Sequence, residues 1–319
     1  MKAAILAGGF GTRLRPLTDR IPKPLVPLLG KPLVTHIIDS LPPQVDTVLL
    51  AVNYMRDALD RYFSDLDLRL EVILVEEKRP LGTGGAIKNL SHHLDDTFIA
   101  FNGDIISSID LGELVRFHES KGGIGTLSLW RVDDPSAFGV VNLDDSGRIT
   151  RFQEKPSPAD ARSDLINAGV YVFEPEILDH VGEGQVSMER EVFPRMLQEG
   201  LYGYRFQGHW VDCGTRENLL LAQRTLLERE GETMEACQLT KGTHLIAPNH
   251  LRGARLEDCS LGPYVSADPG VEVRPGAVVS NTLLLPGCRV GRDARVSDSI
   301  IGPSAVVEEG MSVRGQILI

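Results

Sequence analysis

Ala267, Val273 and Val279, then Leu284, Val290 and Val296, then Ile301, Val307 and Val313 recur at spacings of six, six and five. A period of 17 fits no helical face. It describes a coil with three short flat sides, each turning one aliphatic residue inward, with Gly or Pro near the corners (Gly262-Pro263, Gly291, Gly302-Pro303). Hexapeptide repeats of this kind stack as a parallel β-helix. Three coils in phase make coincidence a poor explanation. The pattern predicts a β-helix domain over residues 245–319, a linker over 230–244 and a separate domain over 1–229.

The first 229 residues follow a different rule. Lys2–Ala7, Thr47–Val52, Glu71–Val75 and Thr97–Asn102 are short Val/Ile/Leu-rich runs, apolar on both faces like strands inside a sheet. Between them, Val34–Leu41, Tyr54–Phe63, Thr83–Leu90 and Leu111–Ser120 have helical character, and a last helix is expected over Ala222–Glu230. This alternation predicts an α/β domain with a Rossmann-like, mostly parallel sheet and helices on both faces. Such sheets bind ligands beyond the carboxyl ends of their strands. The loops to inspect are therefore Gly8–Pro24, Glu76–Gly85 and Gly103–Ile105.

Charge narrows the ligand. A formal net charge of −11 repels nucleic acid backbones, so a phosphate site must be a local concentration of cations. Cys213, Cys237, Cys259 and Cys288 form no CxxC pair, which predicts free thiols and a cytoplasmic protein rather than a zinc cluster or disulfide framework. The opening MKAAILAGG breaks too early for a signal peptide, and no apolar stretch approaches the about 20 residues of a membrane span. No membrane association is expected.

The first loop reads Leu6-Ala7-Gly8-Gly9-Phe10-Gly11-Thr12-Arg13, with Pro22-Lys23-Pro24 following. Three glycines in four positions let backbone N–H groups close on a phosphate. Arg13 and Lys23 add permanent charge, and the flanking prolines reduce the entropy lost in presenting the Lys23 ammonium. This is no Walker A loop, since no Gly-Lys-Ser/Thr follows. Nor is it GxGxxG, because Leu14 stands in place of the third glycine.

The run GGFGTRLRPLTDRIPKP resembles the signature of the sugar nucleotidyltransferases, the NDP-sugar pyrophosphorylases. The resemblance continues through Pro80-Leu81-Gly82-Thr83-Gly84-Gly85-Ala86, Asn102-Gly103-Asp104, Phe138-Gly139-Val140-Val141, Glu154-Lys155-Pro156, Asn167-Ala168-Gly169-Val170-Tyr171 and Trp210-Val211-Asp212-Cys213-Gly214-Thr215, and so covers the whole first domain. The tail is similar to the left-handed parallel β-helix of longer members, including mannose-1-phosphate guanylyltransferases. The run Ser187-Met188-Glu189-Arg190-Glu191-Val192-Phe193-Pro194 sits where those carry a comparable one.

That family joins a sugar 1-phosphate to a nucleoside triphosphate and releases pyrophosphate. The resemblance implies catalytic cations at Arg13 and Lys23, and nucleotide contacts at Leu6, Ala7, Gly8, Gly9, Gly11, Thr12, Glu77, Gly82, Thr83 and Gly103. It implies sugar-phosphate contacts at Gly139, Glu154, Lys155, Asn167 and Val170, the last as an apolar contact. Asp104 and Asp212 are the implied Mg²⁺ ligands, since Mg²⁺ takes one or two carboxylates together with substrate phosphates.

The base is read by Glu76-Glu77-Lys78-Arg79-Pro80, where relatives that prefer thymidine or uridine triphosphates often place a glutamine. A carboxylate accepts from the N1–H and N2–H₂ edge of guanine, so Glu77 favours GTP, with mannose 1-phosphate as acceptor. A thymidylyl- or uridylyltransferase acting on glucose 1-phosphate is the alternative within the class. From another class comes a silent nucleotide-sugar sensor, which would have lost Arg13, Lys23, Asp104 or Asp212; all four are present. Hexapeptide acyltransferases use a histidine base, yet His244 and His250 lie only at the entry to the tail. The tail, ending in the uncharged Gln316-Ile317-Leu318-Ile319, is expected to mediate homo-oligomerisation.

Overall fold

The computed structural model describes residues 1–319, which form two compact units: Met1–Phe10 with Ile37–Trp210, and Gly11–His36 with Val211–Ile319.

In the first unit, Lys2–Leu6 (β1), Thr47–Val52 (β2), Glu71–Glu76 (β3) and Phe98–Asn102 (β4) run parallel in the order β4-β1-β2-β3. Helices Leu33–Ser40, Arg56–Ser64 and Gly82–Asn89 lie in the three crossovers. Gly125–Arg131 (β5), Gly139–Leu143 (β6), Ile149–Glu154 (β7), Leu165–Phe173 (β8) and Leu201–Arg205 (β9) complete a nine-stranded sheet. The main path is β7-β6-β8-β4-β1-β2-β3, and β5 joins β8 to β9. β8 is antiparallel to β4, β5 and β6.

The sheet is thus mixed, where a mostly parallel one was expected. Up to β4 each strand returns through a helix, which forces parallel pairing. From β6 to β8 the connections are short and the pairing is antiparallel, and β9, after a longer helical connection, pairs parallel to β5. β1, β2 and β4 are buried as their composition predicts, whereas β3 is half-exposed because it is the edge strand. Helix Leu111–Lys121 starts at Asp110, whose carboxylate accepts from Glu113 N at 2.8 Å, and stops at Gly122 with φ 61°. Against the sheet, Phe98, Phe152, Tyr171, Phe173 and Phe193 form a packed aromatic core with ring centroids 5.2–6.2 Å apart. Each such ring removed from water is worth roughly 1.5–3 kcal/mol.

In the second unit, three parallel sheets of six, five and five strands wind as the three faces of a left-handed parallel β-helix. Val273, Val290 and Val307 stack through successive coils, as do Val279, Val296 and Val313, and all are buried. The coils begin earlier than the 17-residue repeat does. Thr233–Glu235 already pairs with Asn249–Arg252, and Gln238–Leu239 with Arg255–Leu256, so the expected linker 230–244 is largely β-helix. The cause is a break in phase: Leu251 pairs with Ala267, 16 residues on, and Leu261 with Val279, 18 residues on. His244 and His250 consequently lie within coils.

Helix Arg216–Glu230 begins six residues before the expected one, because Thr215 Oγ accepts from Asn218 N at 3.2 Å and fixes its start. It is bound to the β-helix by buried Gln223, whose Nε2 donates to Tyr264 O at 2.8 Å, and by Tyr264, whose hydroxyl donates to Glu228 at 2.8 Å. No helix is long and apolar enough to cross a membrane.

Candidate active site

The carboxyl ends of β1, β3 and β4 hold one group of the expected nucleotide contacts. Ala7 N donates to Ala51 O at 3.0 Å and Gly103 N to Leu6 O at 3.0 Å, which fixes the loop mouth to its neighbours. A Cβ on Gly103 would stand 2.6 Å from Leu6 O, so only glycine permits this approach. Across the mouth, a Cβ on Gly8 would lie 2.5 Å from Glu77 Oε1, while a Cβ on Gly9 would meet nothing within 4 Å. Glu77 is 5% exposed, and its Oε2 accepts from Leu81 N at 3.2 Å. Burial raises its carboxyl above the ordinary range, against the pull of that backbone bond.

Gly82 opens the helix after this loop, with φ 70°. A Cβ there would be 2.5 Å from Val186 O; Gly84 N and Gly85 N donate to the same oxygen at 2.9 and 3.2 Å. The expected nucleotide contact Thr83 is engaged elsewhere: its hydroxyl donates to Glu189 Oε2 at 2.7 Å and accepts from Met188 N at 2.9 Å. The Thr83 hydroxyl proton is thus used, which leaves one lone pair and the backbone for any other contact. Asp104 follows Gly103 beyond β4, half-buried.

The expected sugar-phosphate contacts gather at β6, β7 and β8. A Cβ on Gly139 would strike Phe152 Cζ at 2.5 Å and Glu154 Oε2 at 3.2 Å, so glycine lets the carboxylate occupy this place. Burial, then the charge of Glu189, raises the Glu154 carboxyl, with Lys155 and Arg190 opposing. Lys155 Nζ lies 3.8 Å from Glu154 Oε1 on a largely exposed side chain. Lys155 has φ 47°, a conformation that costs a non-glycine residue about 1 kcal/mol or more and is found disproportionately at functional sites. In β8 the register against β5 shifts between Asn167 and Tyr171. This bulge turns Asn167 so that its Nδ2 donates to the buried Tyr171 hydroxyl at 2.8 Å and its Oδ1 accepts from Gly169 N at 3.2 Å. Val170 is 2% exposed, and its N donates to Ser128 Oγ at 3.2 Å, so it serves the sheet core more than an open apolar surface.

The remaining expected residues belong to the second unit. Gly11 has φ 60°; its carbonyl accepts from Thr18 Oγ at 2.8 Å, and a Cβ would meet Thr18 at 2.8 Å and Lys23 Cβ at 3.3 Å. Lys23 opens a short 3₁₀ turn, and Thr12 and Arg13 lie in another. Arg13 and Asp212 converge on Gly214, where a Cβ would fall 2.3 Å from the guanidinium and 2.8 Å from Asp212 Oδ1. Asp212 Oδ1 accepts from Gly214 N at 2.8 Å, and its carbonyl accepts from Asn218 Nδ2 at 2.7 Å. Asp104 and Asp212 are each a hard oxygen donor of the kind a divalent cation takes. Sequence reasoning assigned no role to Glu189 or Tyr171, although both stand in runs it singled out, Ser187–Pro194 and Asn167–Tyr171.

Comparison with known proteins gives the same outline. The Nucleotidyl transferase family matches residues 2–229, and the GMPPB C-terminal domain family matches residues 253–319. The chain is 36% identical to mannose-1-phosphate guanylyltransferase 1 of Arabidopsis thaliana, over 99% of this chain and 91% of that one. It is 38% identical to the mannose-1-phosphate guanylyltransferase of Mycobacterium tuberculosis, over 99% of this chain and 82% of the other. Among solved structures, HddC from Yersinia pseudotuberculosis complexed with GMP-PN is similar at a TM-score of 0.58 and 28% identity, covering 69% of this chain and 97% of that one.

Proposed function

The chain belongs to the Nucleotidyl transferase family, and from that premise we propose that it transfers a guanylyl group from GTP to mannose 1-phosphate, giving GDP-mannose and pyrophosphate. The observation that carries the choice of base is the buried Glu77 carboxylate against Gly8. Ionised, it accepts from two N–H groups on one edge of guanine, which a pyrimidine does not present in that form. Relatives similar along nearly the whole chain, all named for guanylyl transfer to mannose 1-phosphate, support the acceptor.

The reaction needs no covalent intermediate, because a sugar phosphate is already an anion. Catalysis is positioning with charge stabilisation. Arg13 takes charge from the β- and γ-phosphates as pyrophosphate leaves, and Lys23 stabilises the α-phosphate. Leu6, Ala7, Gly8, Gly9, Gly11, Thr12, Gly82, Thr83 and Gly103 supply the backbone around the nucleotide. Lys155 grips the incoming sugar phosphate, while Glu154, Asn167 and Gly139 line the sugar and Val170 packs behind them. Mg²⁺ would be held by the Asp104 and Asp212 carboxylates and would supply charge neutralisation at the phosphates. Four free thiols support a reducing cytoplasm. Exposed Met234, Leu239 and Ile246 on the first coil support self-association through the β-helix.

Asp104→Asn or Lys23→Ala is expected to lower kcat/KM on the order of a hundredfold or more while the thermal transition persists. Near wild-type turnover by either folded variant would remove that residue from the mechanism.

A further inference from the structure

The run Ser187–Pro194 has no part in the mechanism above, yet its first turn is joined to both halves of the site. Met188–Val192 forms a single π-helical turn, started by Ser187, whose hydroxyl accepts from Arg190 N at 3.2 Å. Glu189 lies on that turn, half-buried. Both hydrogen bonds to its carboxylate fall on one oxygen: Oε2 accepts from Thr83 Oγ at 2.7 Å and from Ser187 Oγ at 2.8 Å. Two donors on one oxygen fix the plane of the group and leave Oε1 as an acceptor for something else.

Thr83 is itself held, since its hydroxyl accepts from Met188 N at 2.9 Å and the next two backbone amides bind Val186 O. The start of the Gly82–Asn89 helix and the Glu189 turn are therefore one rigid piece. On the sugar side, Phe152 of β7 packs on Phe193 with centroids 5.3 Å apart, which seats the turn against the strand that ends in Glu154. Glu189 is close enough to raise both the Glu154 carboxyl and the Tyr171 hydroxyl, each of which burial already raises.

We propose that Glu189 is a specificity-determining residue for the sugar, its Oε1 accepting a hydroxyl of the acceptor while Thr83 and Ser187 hold Oε2. The proposal rests on the functional reading above. Glu154 and Glu189 are acceptor-only carboxylates on a strand and a turn that pack together, and their charges repel each other. The ligand that relieves them brings two neutral O–H donors, as a vicinal diol does. An N-acetylamino sugar replaces one hydroxyl with a bulkier amide that brings a carbonyl acceptor beside its N–H, and a uronic acid adds a third negative charge. Both are selected against. The charged groups around Glu154 are Glu189, Lys155 and Arg190, with the Tyr171 phenol beside them. Because Glu189 pushes the Glu154 carboxyl upward, removing its charge moves the acid limb of activity to lower pH.

The test is steady-state kinetics of the full chain with GTP and Mg²⁺, comparing mannose 1-phosphate with N-acetylglucosamine 1-phosphate in the wild type and Glu189→Gln. The variant is expected to raise KM for mannose 1-phosphate on the order of tenfold, to leave KM for GTP within about twofold, to narrow the discrimination against the acetylated sugar and to shift the acid limb of kcat/KM downward. Equal losses for both substrates with an unmoved acid limb would reduce Glu189 to a structural cap and overturn the proposal. If Glu189→Gln unfolds, Ser187→Ala, which removes the other donor to Oε2, is expected to raise the sugar KM alone, and a rise in both KM values would overturn the idea. Wild-type turnover with an unaltered Glu189→Gln overturns this inference only. No turnover by the wild type with any NTP and sugar 1-phosphate overturns the functional reading as well.

Discussion

Gly8 and Glu77 illustrate how much one side chain decides here. Without a Cβ at Gly8, a carboxylate occupies the mouth of the first loop; with one, the atom would sit 2.5 Å from Glu77 Oε1. Glu77→Gln exchanges an acceptor for a donor in the same space, so kcat/KM for GTP relative to UTP is expected to fall about tenfold or more, in proportion to one mispaired hydrogen bond. Unchanged base selectivity would release Glu77 from base reading. Burial raises its carboxyl, so GTP use is expected to weaken as pH falls through that raised value and the group becomes protonated. Motif and chemistry both point to Glu77, Gly139 and Glu154 in the sequence, and the structure packs Gly8 against Glu77 and Gly139 against Glu154. Glu189 was not legible there, since its meaning depends on a hydroxyl 106 residues earlier in the chain. Nothing in the spacing of Ser187–Pro194 reveals that partner.

At the scale of elements, the sequence encodes helices and buried strands through periodicity but encodes neighbours only indirectly. β3 reads like β2, and its half-exposure follows from a place at the sheet edge that no run of residues states. The antiparallel strands β6 to β8 follow from connection length, and the bulge that aims Asn167 follows from pairing register. The glycines of Pro80–Ala86 carry a structural load visible only in three dimensions: a Cβ on Gly85 would fall 2.2 Å from Gly184 O. Gly85→Ala is therefore expected to cost about 1–3 kcal/mol of stability by overpacking against backbone that cannot retreat, read from urea midpoints at constant m. A loss below about 0.5 kcal/mol would show that the helix start and residues 184–188 separate easily.

For the whole molecule, the 17-residue period located the β-helix and its inward aliphatics, and missed its opening coils because their lengths of 16 and 18 break the repeat. The compact units also cross the expected border: residues 11–36, which carry Arg13 and Lys23, group with the C-terminal coils. Within that unit the turn at Gly30 rests on a buried polar group, where a Cβ would lie 3.2 Å from His250 Nε2 and 3.5 Å from Asp268 Oδ1. Asp268 is 2% exposed, and burial pushes it up to about 6, with Arg252 opposing. The native state then binds this proton more tightly than the unfolded chain does. Its stability falls as pH rises from about 4 to about 6 and stays reduced above, by at most about 3 kcal/mol. Asp268→Asn removes that penalty, so it is expected to stabilise the protein at pH 7.5, with the gain vanishing near pH 4. Destabilisation at pH 7.5 that vanishes near pH 4 would mean that pairing with Arg252 outweighs the cost of burial.

The most direct test is pyrophosphate release from GTP, dTTP, UTP, ATP and CTP, each against mannose, glucose and N-acetylglucosamine 1-phosphates, with Mg²⁺ and with chelator. The predicted result is release greatest for GTP with mannose 1-phosphate and abolished by the chelator. Release from no pair, or release indifferent to the metal, would contradict a Mg²⁺-dependent nucleotidyl transfer by this chain.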